Sequence, residues 1–241
     1  MKRIWITGGG SGIGKALAWI YADDGWDVFI SGRNPNKLKT AADYAPNIHP
    51  HPCDITDPDG VAACISAIGD LDVAVLNAGD YRPGPTSETT LDDFRQTMEV
   101  NYFGTLNCIQ AVLPTLKANA GQLAVVASVA GYIGLPNASG YGPSKAALIS
   151  LCESLRAELQ DSAVTVHLIN PGFVKTELTD KNDFEMPNMI SPFDAALNMR
   201  RGLETDRFEI AFPAPFVRRM KLLKALPYWA YFKLMKKVAG I

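Results

Sequence analysis

Three side chains between Ser128 and Lys145 could do chemistry together: the Ser128 hydroxyl, the Tyr141 phenol and the Lys145 ammonium. The run Tyr141-Gly142-Pro143-Ser144-Lys145 reads as the start of a helix. A helix brings residues i and i+4 onto one face, so phenol and ammonium would share one space. Ser128 would arrive there from the end of a preceding strand. Such a set holds a general acid, a charge that tunes it and a hydrogen-bond donor for a substrate oxygen. A Tyr-x-x-x-Lys pair alone is common by chance; the plain alternative is a packed tyrosine and a solvated lysine. Its weight depends on the elements that must position it.

Length and composition bound those elements. The 241 residues suit one domain with a single large core, and 47% apolar residues argue against disorder. Cys53, Cys64, Cys108 and Cys152 form no Cys-x-x-Cys pair and read as reduced, mostly buried thiols of a cytoplasmic protein. His49, His51 and His167 fit no metal-ligand spacing, so no metal is expected. Met1 to Ile6 pass straight into a strand-like run, which does not read as a signal peptide. No stretch reaches the ~18 continuous apolar residues of a spanning helix. The net charge of −2 gives no footprint for nucleic acid, but it is unevenly spread. Residues 216–241 hold seven Lys or Arg and no acid, which leaves −9 on the first 215 residues.

Residues 3–7 form a short apolar strand, followed by Gly8-Gly9-Gly10-Ser11-Gly12-Ile13-Gly14 and a helix pattern in Ala16, Leu17, Ile20 and Tyr21. Strand, glycine turn and helix make a place for phosphates, because backbone N–H groups and the helix dipole face the anion. Gly9 to Lys15 nearly spell a P-loop, but Ala16 offers no hydroxyl for magnesium, which disfavours a phosphotransferase. The fingerprint Gly-x-Gly-x-x-Gly does not match either. What stands here, Thr7-Gly8-x-x-x-Gly12-Ile13-Gly14, resembles the cofactor turn of the short-chain dehydrogenase/reductase family. The resemblance implies that Gly8, Ser11, Gly12, Ile13 and Gly14 cradle the pyrophosphate of a nicotinamide dinucleotide.

Further motifs follow in the order of that family. Val28-Phe29-Ile30 is a buried-strand run ending at Ser31-Gly32-Arg33. A carboxylate there would bind the ribose hydroxyls of NAD, whereas the Arg33 guanidinium can bind a 2′-phosphate, so NADP(H) is expected. The resemblance implies an adenine contact from Asp54 and support of the sheet by the turn Asn77-Ala78-Gly79. It places Asn101, inside a helix read from about Asp92 to Lys117, where an asparagine orders a water beside the lysine. Asn170-Pro171-Gly172-Phe173-Val174-Lys175-Thr176 resembles the segment whose threonine contacts the nicotinamide carboxamide, which brings in Pro171, Gly172, Val174 and Thr176.

Strands and helices alternate six times without a linker, and Phe208–Phe212 reads as a seventh strand. The expected fold is α/β, a Rossmann-like doubly wound parallel sheet with helices on both faces. Right-handed crossovers put every strand's C-terminal end on one side. The glycine turn, Arg33, Asp54, Asn77, Ser128 and Pro171 must then gather along one edge. The catalytic set is Ser128, Tyr141, Lys145 and Asn101, and the resemblance implies hydride transfer between NADP(H) and a carbonyl or alcohol. An ammonium about 4 Å from the phenol, at an effective dielectric near 20, is worth about 4 kcal/mol and would bring Tyr141 near 7. A non-catalytic NADP(H) sensor is the alternative; it would need none of the four residues.

The catalytic domain is read as 1–213, with a substrate lid at about 173–205 and a basic, apolar helical extension at 214–241. The lid stretch mixes Leu178, Phe184, Met186, Met189 and Ile190 with charges, and suits an apolar or lipid-like substrate. The extension departs from the family's usual tail and puts its tetramer in doubt, while a homodimer through the helices around Asn101 and Tyr141 stays open. In the extension, Phe216, Met220 and Leu223 recur at helical spacing, as do Tyr228, Tyr231, Phe232 and Met235, and Pro227 splits the two sets. Two readings stand. Either the stripes pack over the substrate site or a partner subunit, or 216–241 lies peripherally on an anionic membrane, with Lys233, Lys236 and Lys237 toward the headgroups.

Overall fold

Ile4-Trp5-Ile6, Val28-Phe29-Ile30, Val73-Ala74-Val75-Leu76 and Leu123-Ala124-Val125-Val126 are unbroken apolar runs. Such runs are stable only in a sheet covered on both faces. The computed structural model describes residues 1–239, with side chains through residue 236, and contains that sheet. Its seven strands are β1 (Arg3–Thr7), β2 (Asp27–Ser31), β3 (Ile48–Pro50), β4 (Val73–Leu76), β5 (Gln122–Val126), β6 (Thr165–Pro171) and β7 (Glu209–Phe212). All neighbours pair in parallel, in the order β3-β2-β1-β4-β5-β6-β7. The order reverses between β1 and β4, which opens a crevice at the strand ends.

Alternate strand residues feed two separate cores. Trp5, Phe29, Ala74, Leu123 and Val125 point to a core shared with α3 (Pro58–Ile68), α5 (Gly104–Ala118) and α6 (Tyr141–Glu158). Ile6, Ile30, Val75 and Ala124 point to one shared with α1 (Gly12–Asp23), α2 (Pro35–Ala42) and α7 (Pro192–Leu203). Helix starts follow local chemistry. Asn34, Asp57 and Ser191 cap α2, α3 and α7 with side-chain acceptors, each followed by a first-turn proline.

The helix expected from about Asp92 to Lys117 has an interruption. α4 (Leu91–Met98) and α5 are joined by one π turn, Glu99–Phe103, where the Gly104 N–H donates to the Glu99 carbonyl. Asn101 sits in this turn, fully buried, with its side chain tied across to two other elements.

The extension forms two helices, α8 (Ala214–Lys224) and α9 (Tyr228–Ala239), broken at Pro227 as expected. Phe216, Val217 and Met220 are buried on Val129 and Tyr132, with Leu223 packed beside them. Lys221 donates to Glu209 of β7. In α9 only part of the anticipated stripe is internal: Tyr231 and Met235 are buried, while Tyr228 and Phe232 are 77% and 62% exposed. Among the described side chains of α9, the buried ones, Tyr231 and Met235, cover a narrower arc than its apolar residues do. The side chain of Lys237 lies outside the described residues. Among the described residues no helix is long and apolar enough to cross a membrane.

Candidate active site

The glycine turn joins β1 to α1 and is shaped by what a Cβ would strike. Gly8 and Gly12 have φ of +67° and +52°, the left-handed region that favours glycine. A Cβ on Gly14 would lie 2.4 Å from the Gly8 carbonyl oxygen and 2.7 Å from Asn77 Nδ2. The Thr7 hydroxyl accepts from the N–H of both Asn77 and Ala78, at 2.9 and 3.0 Å, and Asn77 Nδ2 donates to the Thr7 carbonyl. Asn77-Ala78-Gly79 therefore buttresses the turn from β4. Turn and buttress line a cleft with Val126, Ser128, Tyr141, Lys145, Pro171, Gly172, Val174 and Thr176.

Ser128 follows β5 and caps a short 3₁₀ turn, accepting from the Ala130 N–H at 3.1 Å. Tyr141 opens α6, and Lys145 one turn on is buried. The Lys145 ammonium donates to the Val126 carbonyl at 2.9 Å and sits 5.6 Å from the centroid of the Tyr141 ring. Burial pushes the phenol up to about 12, against a lowering by the Ser128 hydroxyl, and pulls the ammonium down to about 8. The expected phenol near neutrality is thus corrected. Desolvation dominates, and the ammonium lies over the ring, where it bonds a backbone carbonyl.

Asn101 reaches the same centre from the π turn. Its Nδ2 donates to the Asp80 carbonyl and to Ser144 Oγ, both at 2.9 Å, and its Oδ1 accepts from the Asp80 N–H at 2.7 Å. Ser144 Oγ in turn donates to the Tyr141 carbonyl at 2.7 Å. The Asn101 side chain ties the segment after β4 to the start of α6.

A second chamber opens on the other side of the two hydroxyls. It shares Ser128, Tyr141, Gly172, Leu178 and Thr179 with the first and is otherwise walled mainly by Tyr81, Val129, Leu135, Phe173, Phe184 and Phe216. Tyr81 meets the Tyr141 ring edge-on at 4.8 Å and donates to Asn182 Oδ1 at 2.7 Å. Of the apolar residues in the anticipated lid, Leu178 and Phe184 line the chamber, whereas Met186, Met189 and Ile190 do not. Ile190 instead packs on the core beneath α7. Glu177 is drawn away to Lys37 of α2, whose ammonium it meets at 2.6 and 2.7 Å.

Not every expected residue reaches the cleft. Gly14 lies under the turn and Asn101 behind Gly79. Arg33 is exposed and lines an adjoining hollow with Asn34, Asn36 and Lys37, which shares Gly8 and Ser11 with the cleft. Asp54 lines neither; its Oδ1 accepts from the Thr56 N–H and hydroxyl at 3.0 and 2.9 Å. Sequence reading missed Thr7 as a buttress and Tyr81 and Leu135 as walls, whereas Phe173 falls inside the anticipated lid and Phe216 belongs to the stripe that one of the two readings of the extension placed over the substrate site. Among the missed residues only Tyr81, two residues past Gly79, carried a local signal. All four cysteines are buried and unpaired, and the described residues hold no metal-binding group.

The geometry has counterparts. A family model described as short chain dehydrogenase matches residues 2–186. An uncharacterized oxidoreductase of Myxococcus xanthus is 34% identical over 231 residues, 92% of this chain and 91% of the relative. A solved short chain dehydrogenase from Burkholderia cenocepacia, in complex with NADP, matches with a TM-score of 0.88 at 30% identity, covering 98% of this chain and 99% of its own. A Burkholderia phymatum structure in complex with NAD shares the fold, with a TM-score of 0.83, 23% identity and 92% of each chain covered.

Proposed function

The chain belongs to the short-chain dehydrogenase/reductase family of oxidoreductases, and from that premise we propose that it transfers a hydride between NADP(H) and the carbonyl or alcohol of an apolar substrate. The observation that carries this reading is the position of Ser128 and Tyr141 on the boundary between a glycine-lined cleft and an apolar chamber. The cleft fits a dinucleotide: a Cβ would fill the turn at Gly14, and Gly8 and Gly12 need their positive φ.

A bound nicotinamide supplies the hydride. The chain's own groups bind, orient and move the proton. Tyr141 Oη, held protonated at neutral pH, gives its proton to the substrate oxygen, and Ser128 Oγ fixes that oxygen. The Lys145 ammonium stabilises the phenolate left behind. Asn101 is a positioning residue, holding Tyr141 through Ser144. The test is oxidation of NADPH and of NADH with carbonyls graded from short and polar to long and apolar. Turnover should favour NADPH and rise with apolar length; no turnover, or a preference for small polar carbonyls, would overturn the reading.

The choice of NADP(H) rests on Arg33. No carboxylate stands at the end of β2, and the Ser31 hydroxyl is buried beneath the sheet, accepting from Trp5 Nε1 at 2.8 Å. Arg33→Ala is expected to weaken NADPH binding by roughly 1.5–3 kcal/mol, the worth of a hydrogen bond to a charged group, and to leave NADH nearly unchanged. Fluorescence titration of both cofactors checks it, and equal losses would count against a 2′-phosphate site.

The two shifted groups set a pH dependence. The phenol keeps its proton up to about 12, while the ammonium loses its own above about 8. Below that value both are in the form that donates and stabilises. The rate of carbonyl reduction at low substrate is therefore expected to be level through neutrality and to fall as pH rises past about 8. A profile that stays level to pH ~10 would remove Lys145 from this role.

A further inference from the structure

The outward side of the last two helices has no task in the site. Tyr231 and Met235 hold α9 on the protein, and Tyr231 donates to the Gly134 carbonyl. Opposite them, Trp229 and Phe232 are 75% and 62% exposed and recur with Lys233 and Lys236 at i, i+3, i+4 and i+7, one stripe of a helix. Tyr228 stacks on Phe232 with ring centroids 5.9 Å apart. Leu222 and Leu226 add exposed apolar surface at the end of α8 and in the turn before α9. A single exposed hydrophobic is ordinary, but a run of them marks an interaction surface.

Charge selects the partner. Residues 214–236 contain Arg218, Arg219, Lys221, Lys224, Lys233 and Lys236 and no acid. Among the described residues only Lys221 of these makes an ion pair, with Glu209. In a two-fold interface a second copy would lay this basic face against itself. Anionic headgroups complement it: ammonium and guanidinium groups meet phosphates while Trp and Tyr rings lie at headgroup depth.

We propose that the outward face of α8 and α9 docks the protein peripherally on an anionic lipid surface. At 11 and 12 residues, neither helix spans a bilayer; each would lie in the interface plane. Phe216 of α8 lines the apolar chamber, and so does Leu135, next to the Gly134 that holds α9. The docking face and the chamber are thus two sides of one wall, and an apolar molecule in the lipid lies close to the hydroxyls that would act on it.

The test is co-sedimentation of the full chain with vesicles of phosphatidylcholine alone or mixed with phosphatidylglycerol, at low salt and near 1 M salt. Binding is expected only to vesicles containing phosphatidylglycerol, and is expected to vanish at high salt, where the screening length is about 3 Å. Trp229→Ala with Phe232→Ala should abolish it. Lys233→Gln with Lys236→Gln should weaken it by about fivefold per lysine removed. All four residues are exposed, so unchanged NADPH affinity checks that each variant is folded. No vesicle binding at low salt, equal binding to both lipids, or aromatic variants that bind like the parent chain would each overturn the proposal. A concentration-dependent dimer lost in the aromatic variant would assign the face to a second copy instead. No turnover is measured, so failure here is separate from failure of the reductase reading.

Discussion

Tyr141→Phe is expected to lower carbonyl reduction by about 10²–10⁴-fold, the usual worth of general acid–base catalysis, with NADPH affinity nearly unchanged. The substitution removes one oxygen and leaves the ring, its edge contact with Tyr81 and the backbone bond from Ser144 in place. The glycine turn is untouched. Ser128 stands at the same boundary, but its ordinary acidity is far weaker and its oxygen already accepts from Ala130. Lys145 lies buried behind the ring, its ammonium committed to Val126. No other acid faces both chambers among the residues lining them jointly. A variant that kept more than about a hundredth of the activity would show that the proton comes from elsewhere. A variant that lost NADPH binding as well would show damage to the cleft.

The second large effect is expected at Gly14. In Gly14→Ala the new methyl would meet the Gly8 carbonyl oxygen at 2.4 Å, its carbon at 2.9 Å and Asn77 Nδ2 at 2.7 Å. Two of these atoms are backbone of the turn itself, so the strand-to-helix passage must open. Overpacking of this kind costs about 1–3 kcal/mol, and the N–H groups that face a pyrophosphate would move with it. NADPH affinity should fall at least about tenfold, with a lower melting temperature. Gly134→Ala is the matched control, since no atom lies within 4 Å of its added methyl. If Gly14→Ala bound NADPH like the parent chain, the turn would not be the pyrophosphate cradle.

Both effects concern residues that were legible in the sequence, and the reason is locality. The glycine turn, Arg33 and the Tyr141–Lys145 pair are each specified within seven residues, between elements whose apolar periodicity is strong. The sheet followed from the same alternation. The chamber was legible only in part: the lid stretch supplied Phe173, Leu178 and Phe184, but Tyr81 and Leu135 come from separated segments, and which reading of the Phe216 stripe holds is decided only by the closed fold. The acidity of Tyr141 was misjudged for a related reason. Spacing supplies a nearby charge, but burial belongs to the whole fold, and here burial wins. In the extension, spacing found the two apolar arcs and Pro227 found the break. Which part of each arc packs depends on where Gly134 and Glu209 offer a partner.

The π turn at Glu99–Phe103 gives this chain one residue more than two collinear α-helices would need. A residue lost from α4 or α5 would swing one helix by about 100° and slide it about 1.5 Å past its neighbours. A residue lost from the π turn would close it to an α turn and leave both helices on their contacts, but Asn101 would no longer face Asp80 and Ser144. Shortening is therefore structurally mild at one place in the long helix, and that is where it would undo the site. The surplus residue measures how much chain the fold commits to turning a single amide inward.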